Sequence, residues 1–253
     1  MLERLIEVSN DLHAAREALR EGYDETRLYN LRVASRRIRS ILKHDDAEQA
    51  RSFRKAWGSF VAVTGNARDW DVFLTCAEEI LDAPSFARFR EVNQSEIEAS
   101  RQAVIDMLGS LAWQKHLNAW EAFLQNADDR RADSGGGAAL SLALEQANRR
   151  LRKAMAKDTD RRWHKFRIAV KEVRYVAEAN PDLPEHAVIT SACKELQTLL
   201  GDWHDTVVQR EMLARLPPDP VHSELETLIL RRKHHFLTGI LDWLSGQSLF
   251  SAR

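Results

Sequence analysis

Two ten-residue segments of this chain carry arginine and lysine at matching positions, a pattern suited to binding anions. Residues 31–40 read LRVASRRIRS, and residues 166–175 read FRIAVKEVRY. The matching cations are, in pairs, Arg32 and Arg167, Arg36 and Lys171, and Arg39 and Arg174. A guanidinium grips a phosphate-like group with two parallel hydrogen bonds, whereas an ammonium acts as a compact point charge. The two segments therefore predict the same anion-binding chemistry in both halves of the chain.

Each basic segment is followed, after a similar interval, by a glycine and an aspartate. Residues 65–72 read GNARDWDV, and residues 201–208 read GDWHDTVV. The first glycine lies 33 residues after Arg32, and the second lies 34 residues after Arg167. Two motifs repeated at nearly the same spacing indicate an internal duplication, with both copies directed at a shared anionic target.

The second motif places a cation and a carboxylate side by side. Arg68 and His204 occupy equivalent positions and are followed by Asp69 and Asp205. A carboxylate beside a cation can orient a guanidinium or select a histidine tautomer. For these two aspartates and for Asp71, we expect a structural role, as a helix cap or in an ion pair, ahead of contact with a ligand or a metal.

A helix is the element that would align the basic residues. At about 100° per residue, the first segment forms a stripe roughly 60° wide with Tyr29 at its edge, and the second forms a stripe about 80° wide. The first stripe consists of Tyr29, Arg32, Arg36, Arg39 and Lys43, and the second stripe of His164, Arg167, Lys171 and Arg174. Apolar residues occupy the face beside each stripe, as a core-facing seam requires. The alternative is a solvated surface with scattered ion pairs, but cations four residues apart repel one another, and the stripe occurs twice.

Two lysines outside the stripes are further candidates for the same site. Lys194 lies two helical turns before Gly201, where it would face in the direction of His204. The first-half counterpart of Lys194 is Gly58, so Lys55, one turn earlier, is the expected substitute.

Two basic runs in the second half add weaker candidates. Lys153, with its neighbours Arg149, Arg152 and Lys157, precedes the second stripe at helical spacing and is expected to face the same ligand. In the run at 231–235, successive side chains point around a helix, so we expect either Arg231 or Lys233 to contribute. The remaining isolated histidines are expected at the surface or at helix ends: His13, His44, His116, His186 and His222.

Composition limits the classes of function. The 253 residues include 37 basic and 38 acidic side chains, a formal charge of −1 that disfavours general nucleic-acid binding. Cys76 and Cys193 form no zinc or disulfide pattern and are expected to be buried thiols in a reducing compartment. The N-terminal residues show no secretory leader, and no apolar run approaches the roughly 20 residues of a membrane span. We therefore expect a cytoplasmic protein.

The spacing of apolar residues predicts an all-α fold. Helical spacing covers about 2–20, 25–43, 47–64, 68–81, 84–107, 110–127, 138–157, 160–179, 185–200, 203–215 and 221–245. Gly65 and Gly201 are expected to end helices, with Asn66 and Asp202 near the start of the next ones. The polar, glycine-rich segment 128–137 is the predicted linker between halves at 1–127 and 138–253, each an antiparallel helical bundle.

The duplicated motifs resemble the CHAD family, a histidine-containing α-helical domain that binds inorganic polyphosphate. The family pattern runs roughly His-x-x-Arg-[VI]-x-x-[RK]-[RK]-x-Arg and then Leu-Gly-x-x-[RH]-Asp, twice in each domain. The matching segments here are YNLRVASRRIRS with TGNARDWDV, and HKFRIAVKEVRY with LLGDWHDTVV. The resemblance covers essentially the whole chain and implies one domain over 1–253. It also implies two bundles related by a pseudo-twofold axis, with a basic channel or groove between them.

The chain departs from the family pattern at three positions. Tyr29 stands at the first histidine position, Thr64 replaces the leucine before the glycine, and Glu172 replaces a basic residue. A tyrosine can donate a hydrogen bond to phosphate, but it brings no charge. Glu172 lies off the second stripe and is expected to be a surface acid.

The resemblance implies a module that binds long-chain polyphosphate without catalysis, cofactor or metal. The alternative is a helical scaffold for another polyanion or for an acidic protein partner. We expect no specific nucleic acid and no membrane as partner, while homo-oligomerisation and association with polyphosphate granules stay open. If His164 and His204 contact phosphate, affinity should rise as the pH falls through about 6–7.

Overall fold

The computed structural model describes residues 2–45, 47–126 and 136–250, and this part of the chain is helical without any strand. The all-α fold predicted from sequence is therefore confirmed. The helices are α1 (Leu2–Glu21), α2 (Glu25–Ile41), α3 (Glu48–Ile80), α4 (Ala83–Gly109), α5 (Leu111–Gln125), α6 (Gly136–Ala156), α7 (Asp160–Ala179), α8 (His186–Leu213) and α9 (Pro220–Ser245). The chain divides into two compact units, Met1–Asp133 and Ser134–Arg253.

The first unit packs α1 to α5 around an aromatic core. Consecutive helices contact one another, and α1 also contacts α4 and α5. The indole of Trp57 on α3 lies edge-on to those of Trp113 and Trp120, with ring centroids 5.7 Å apart in both pairs. Helix α2 begins where the Asp24 carboxylate accepts hydrogen bonds from the backbone N–H groups of Thr26 and Arg27. This cap fixes the start of the helix that carries the first stripe.

The second unit packs α6 to α9 in sequence, so that α7 lies against both α6 and α8. Its core includes Phe166 and Val170 from α7, Leu200 and Trp203 from α8, and Ile240 from α9, all nearly inaccessible to solvent. The apolar seam of α7 thus faces the core, as the helical pattern predicted, and leaves the second stripe beside it.

The predicted helix ends at Gly65 and Gly201 are wrong. Helices α3 and α8 run through these glycines without a break, over 33 and 28 residues. A glycine that ends a helix usually adopts a positive φ, and no described residue does so. Buried residues continue on both sides, for example Trp57 and Trp70 in α3, so packing maintains the helix despite the low propensity of glycine.

Three smaller expectations also need correction or limits. Helix α2 ends at Ile41, so Lys43 lies on a 3₁₀ turn, Leu42–His44, rather than on the stripe's helix. Most of the predicted linker lies outside the described residues, and its last two glycines belong to α6. His116 is not a surface residue, because its ring packs against Phe53, Trp57 and Phe60.

Among the described helices, none is both long and apolar enough to cross a bilayer.

Candidate anion-binding site

The guanidinium of Arg32 is held in place by α3. Its Nη1 donates to the hydroxyl of Thr64 at 2.5 Å and to the carbonyl of Val61 at 3.1 Å. The Thr64 hydroxyl in turn donates to the same carbonyl at 2.8 Å. The threonine that departs from the family pattern therefore fixes the orientation of the first arginine of the stripe.

Positive charge outweighs negative charge around Arg32. The pKa of Arg32 is lowered, chiefly by burial and then by Arg36 and Arg68, while Asp69 opposes the shift. The pKa of Asp69 is raised by burial, and both Arg32 and Arg68 oppose that shift. The Asp69 carboxylate thus interacts electrostatically with both Arg32 and Arg68, which agrees with the predicted role of orienting a guanidinium. We call Tyr29, Arg32, Arg36, Arg68 and Asp69 the first cluster.

Tyr29 meets Arg68 at the edge of the first cluster. The guanidinium carbon of Arg68 lies 5.7 Å from the centroid of the Tyr29 ring, within the range of a cation–π contact. Tyr29 is 47% exposed, so the pair faces solvent. This contact links the start of the stripe on α2 to the glycine–aspartate motif on α3.

Gly58 provides room for Arg39, the third arginine of the first stripe. A Cβ atom added at Gly58 would lie 3.3 Å from Nη2 and 3.4 Å from the guanidinium carbon of Arg39. The Arg39 Nε is buried and has no hydrogen-bond partner among the described residues. Gly58, the first-half counterpart of Lys194, therefore contributes no cation itself but leaves space for Arg39 from the neighbouring helix.

In the second unit, two histidines lie together beside the second stripe. The rings of His164 on α7 and His204 on α8 have centroids 4.8 Å apart. The pKa of His204 is lowered to about 4, mainly by burial and then by Arg167, His164 and Lys171, with Asp160 opposing. The Nδ1 atom of His204 is buried without a hydrogen-bond partner in the described structure. We call His164, Arg167, Lys171 and His204 the second cluster.

The same environment acts on His164. Its pKa is lowered by burial and by Arg167 and Lys171, and Glu211 opposes the shift. Without a bound anion, both histidines are therefore mainly uncharged at neutral pH. Their protonation needs an added negative charge nearby, which an anionic ligand would supply.

Of the two candidates on α9, the structure places Lys233 beside the second cluster. Its ammonium pairs with the Asp160 carboxylate at 2.5 Å and lies 5.9 Å from the centroid of a Trp203 ring. Arg231 is exposed and lies about 200° away around the helix, so it points in another direction. The contact with Trp203 favours Lys233 over Arg231 as the neighbour of the second cluster. No sequence pattern predicts this contact.

Arg174, the last cation of the second stripe, already has a carboxylate neighbour. Its Nε lies 3.4 Å from the Glu178 carboxylate, one turn later on α7. Arg174 also lies near Cys193, where burial raises the pKa of the thiol to about 12 and the guanidinium opposes the shift. Cys193 is thus a buried, unreactive thiol at neutral pH, and Arg174 lies between this thiol and the Glu178 carboxylate.

Asp71 belongs to the packing of the first unit. Its side chain is fully buried, accepts a hydrogen bond from the Tyr23 hydroxyl at 2.6 Å and pairs with Arg101 at 3.3 Å. The guanidinium of Arg101 also lies 4.9 Å from the Tyr23 ring centroid. Asp71 therefore joins α3 to α4 and to the end of α1, which is a structural role.

The part that the remaining candidates play in the site stays a prediction. Lys43, Lys55 and Lys194 are exposed on the 3₁₀ turn, α3 and α8, respectively. Lys153 lines a separate cavity between the end of α6 and the start of α7. Within the described residues, no group of His, Cys, Asp and Glu is arranged to hold a metal ion.

The fold and the clusters define an all-helical protein with cationic clusters beside the cores of its two units. A family model of the CHAD domain matches residues 3–214, and the chain belongs to this family. The crystal structure of the CHAD domain from the plant Ricinus communis has a similar fold. The TM-score is 0.73 at 21% identity, covering 100% of this chain and 92% of that one.

A similar sequence occurs in Mycobacterium tuberculosis. An uncharacterized protein of strains CDC 1551 and H37Rv is 29% identical over 215 residues, which is 76% of this chain. The chain spans 40% of the length of this relative.

Proposed function

We propose that the chain binds long-chain inorganic polyphosphate through the first and second stripes and catalyses no reaction. The observation that carries the proposal is the excess of fixed positive charge in each cluster. Arg32 has two cationic neighbours and one carboxylate neighbour, and His204 has two permanently cationic neighbours, Arg167 and Lys171, and one carboxylate neighbour. An anion placed in either cluster would relieve this repulsion, which a solvated surface stripe does not require.

Buried donors support the same proposal. The Nε of Arg39 and the Nδ1 of His204 are both buried without a hydrogen-bond partner in the described structure. A buried polar atom left unpaired costs roughly 1–3 kcal/mol. A phosphate oxygen would accept a hydrogen bond from the Arg39 N–H, and from His204 once its Nδ1 carries a proton.

The linear arrangement of the cations favours a polymer over a single phosphate. Arg32, Arg36 and Arg39 extend along about 10 Å of α2, at 1.5 Å per residue. Polyphosphate carries about one negative charge per unit, so successive units can meet successive cations. Several charge-assisted bonds of ~1.5–3 kcal/mol each would give tight binding after ordering costs. Such a protein is expected in the cytoplasm, where polyphosphate granules would concentrate it.

A pair of charge-matched double variants tests the proposal. Arg36→Ala/Lys171→Ala removes one cation from each stripe, and Arg90→Ala/Lys115→Ala removes two exposed cations outside the clusters. We expect the first variant to lose at least tenfold in affinity for long-chain polyphosphate, and the second to bind like the unchanged protein. Equal affinities for the two variants would contradict the proposal. Orthophosphate released during the same titrations would contradict the non-catalytic part.

A further inference from the structure

A second basic site lies at the corner where α6 ends and α7 begins. A cavity of about 500 Å³ opens there, and we call it the corner cavity. Besides Thr159, all of its lining residues are cations: Arg150, Lys153, Lys157, Arg161, Arg162 and Lys165. Cavities of roughly 300–1,000 Å³ are the size that takes small-molecule ligands.

The corner cavity is separate from the second stripe. Around α7, Arg161 lies about 60° and Lys165 about 100° from His164, the nearest member of the second stripe. No residue of the second stripe lines the cavity, and two of the lining residues, Lys153 and Lys157, belong to the weaker basic run identified from the sequence. The two basic surfaces of α7 therefore face different directions.

The acids nearest in sequence are engaged in other contacts. The Asp158 carboxylate accepts a hydrogen bond from the Trp163 indole at 2.7 Å. The Asp160 carboxylate pairs with Lys233 on α9. Neither aspartate lines the cavity, so its wall keeps the charge of its arginines and lysines.

Local structure holds the cations around the cavity. The Arg162 Nη1 donates to the carbonyl of Lys153 at 2.7 Å, which ties the last turn of α6 to the first turn of α7. Thr159, the N-cap of α7, makes no capping hydrogen bond with its side chain. The positive end of the α7 dipole therefore adds to the field in the cavity.

Mutual repulsion among the cations is visible at Lys165. Its pKa is lowered, first by Arg161, then by burial, and then by Arg150, Lys153 and Arg162. The cations come from two helices and their connection, and they surround one volume instead of following a line. That geometry matches a compact anion rather than an extended polymer.

We infer that the corner cavity binds a compact ligand with several phosphate groups, of the size class of tripolyphosphate, at a site separate from the stripes. The inference does not rest on the binding of long-chain polyphosphate. Arginine forks and lysine ammonium groups on several sides of a small cavity are suited to adjacent phosphate groups of one short ligand.

Calorimetric titration with tripolyphosphate tests the assignment. The corner variant Arg161→Ala/Lys165→Ala is compared with the stripe variant Arg36→Ala/Lys171→Ala and with Arg90→Ala/Lys115→Ala, all of equal net charge. We expect the corner variant to lose at least tenfold in affinity for tripolyphosphate, while the other two keep it. Undiminished binding by the corner variant, or equal loss in the stripe variant, would overturn the inference. Long-chain polyphosphate is titrated in parallel, and its loss of affinity in the stripe variant reports on the stripes, so failure of the corner site and failure of the proposed function are distinguished.

Lysine acetylation followed by mass spectrometry provides a second readout that needs no variant. Lys165 and Lys115 are both exposed, and the lowered pKa of Lys165 leaves part of its amine free to react. Tripolyphosphate should slow the acetylation of Lys165 at least fivefold and leave that of Lys115 unchanged. Absence of protection at Lys165 under saturating tripolyphosphate would overturn the inference, even if the corner variant failed to fold.

Discussion

The Arg68 guanidinium lies 5.7 Å from the centroid of the Tyr29 ring, at the two positions that correspond to His204 and His164 in the second half. The two histidine rings lie 4.8 Å apart. In the first unit the pair consists of Tyr29 and the permanently charged Arg68, whereas in the second unit both members, His164 and His204, are titratable. Arg68 supplies the charge that Tyr29 lacks, so the missing histidine does not leave the first cluster neutral.

This difference predicts how binding depends on pH. A bound polyanion favours the protonated form of His204, whose pKa without ligand is about 4. Protons are then taken up on binding between that pKa and the higher pKa of the complex, so affinity rises as the pH falls within this window. The window extends below the range of about 6–7 expected from sequence, because burial and neighbouring cations lower the pKa of both histidines in the free protein.

The measurement is the affinity for long-chain polyphosphate at pH 7 and pH 5. We expect tighter binding by the unchanged protein at pH 5, and a clearly smaller gain in His204→Gln. His13→Gln, which changes a histidine outside the clusters, should behave like the unchanged protein. The same gain in all three proteins would exclude His204 from the binding site.

Thr64→Val should weaken polyphosphate binding by more than its loss of stability explains. The variant removes the hydroxyl that accepts a hydrogen bond from Arg32 at 2.5 Å, which leaves the guanidinium less well oriented. One such bond contributes about 0.5–1.5 kcal/mol, so affinity should fall roughly two- to tenfold.

Thr206→Val is the matched control for Thr64→Val. Both threonines are 2% exposed, and the Thr206 hydroxyl donates to a carbonyl of its own helix, that of Trp203. Denaturant unfolding should give similar stability losses for the two variants, whereas calorimetry should show reduced affinity for Thr64→Val alone. Equal affinities would mean that the bond to Arg32 has no role in binding.

Gly58→Ala should change stability and binding in opposite directions. Alanine stabilises a helix interior by about 0.5–1 kcal/mol relative to glycine. Its Cβ would lie 3.3 Å from the Arg39 Nη2, so the guanidinium must move by a few tenths of an ångström, and affinity should fall roughly two- to fivefold. Gly239→Ala, where the added Cβ meets nothing within 4 Å, should stabilise α9 without changing affinity. Thermal melting of both variants measures the change in stability, and titration with long-chain polyphosphate measures the change in affinity.

His116 should make the first unit sensitive to acid. Burial among aromatic rings lowers its pKa to about 4, whereas the unfolded chain has a histidine pKa of about 6.5. The unfolded state therefore binds the proton more readily, and stability is lost as the pH falls from about 6.5 towards 4.

The variant that tests this is His116→Phe, which keeps an aromatic ring at the site. In urea unfolding at pH 7 and pH 5, it should lose less stability on acidification than the unchanged protein. His13→Phe serves as the control and should keep the full loss. An unaltered loss in His116→Phe would assign the acid sensitivity to other groups, His204 first among them.

The sequence predicted the elements well wherever a periodic pattern extended over several turns. The apolar seams of α2 and α7, with cations beside them, follow directly from the 3.6-residue period. The predictions that helices end at Gly65 and Gly201 were wrong. Burial of residues such as Trp57 and Trp203 maintains α3 and α8, and this tertiary packing outweighs the low helix propensity of glycine.

Partners from other helices could not be predicted from periodicity. The hydrogen bond that Arg32 donates to Thr64 and the space that Gly58 provides for Arg39 join residues from different helices. The sequence indicates the corner cavity only in part, because it shows that Arg161, Arg162 and Lys165 are cations of α7 outside the second stripe. Its convergence with Arg150 and Lys157 depends on how α6 turns into α7, which composition does not specify.

The most direct test of the central claim is a titration of the purified protein with long-chain polyphosphate at low and at physiological salt, with single-stranded DNA of matched length as competitor. The account predicts tight binding that weakens with salt and that DNA does not displace, because the stripes match the charge density of polyphosphate. Absent binding, or displacement by equal amounts of DNA, would contradict it.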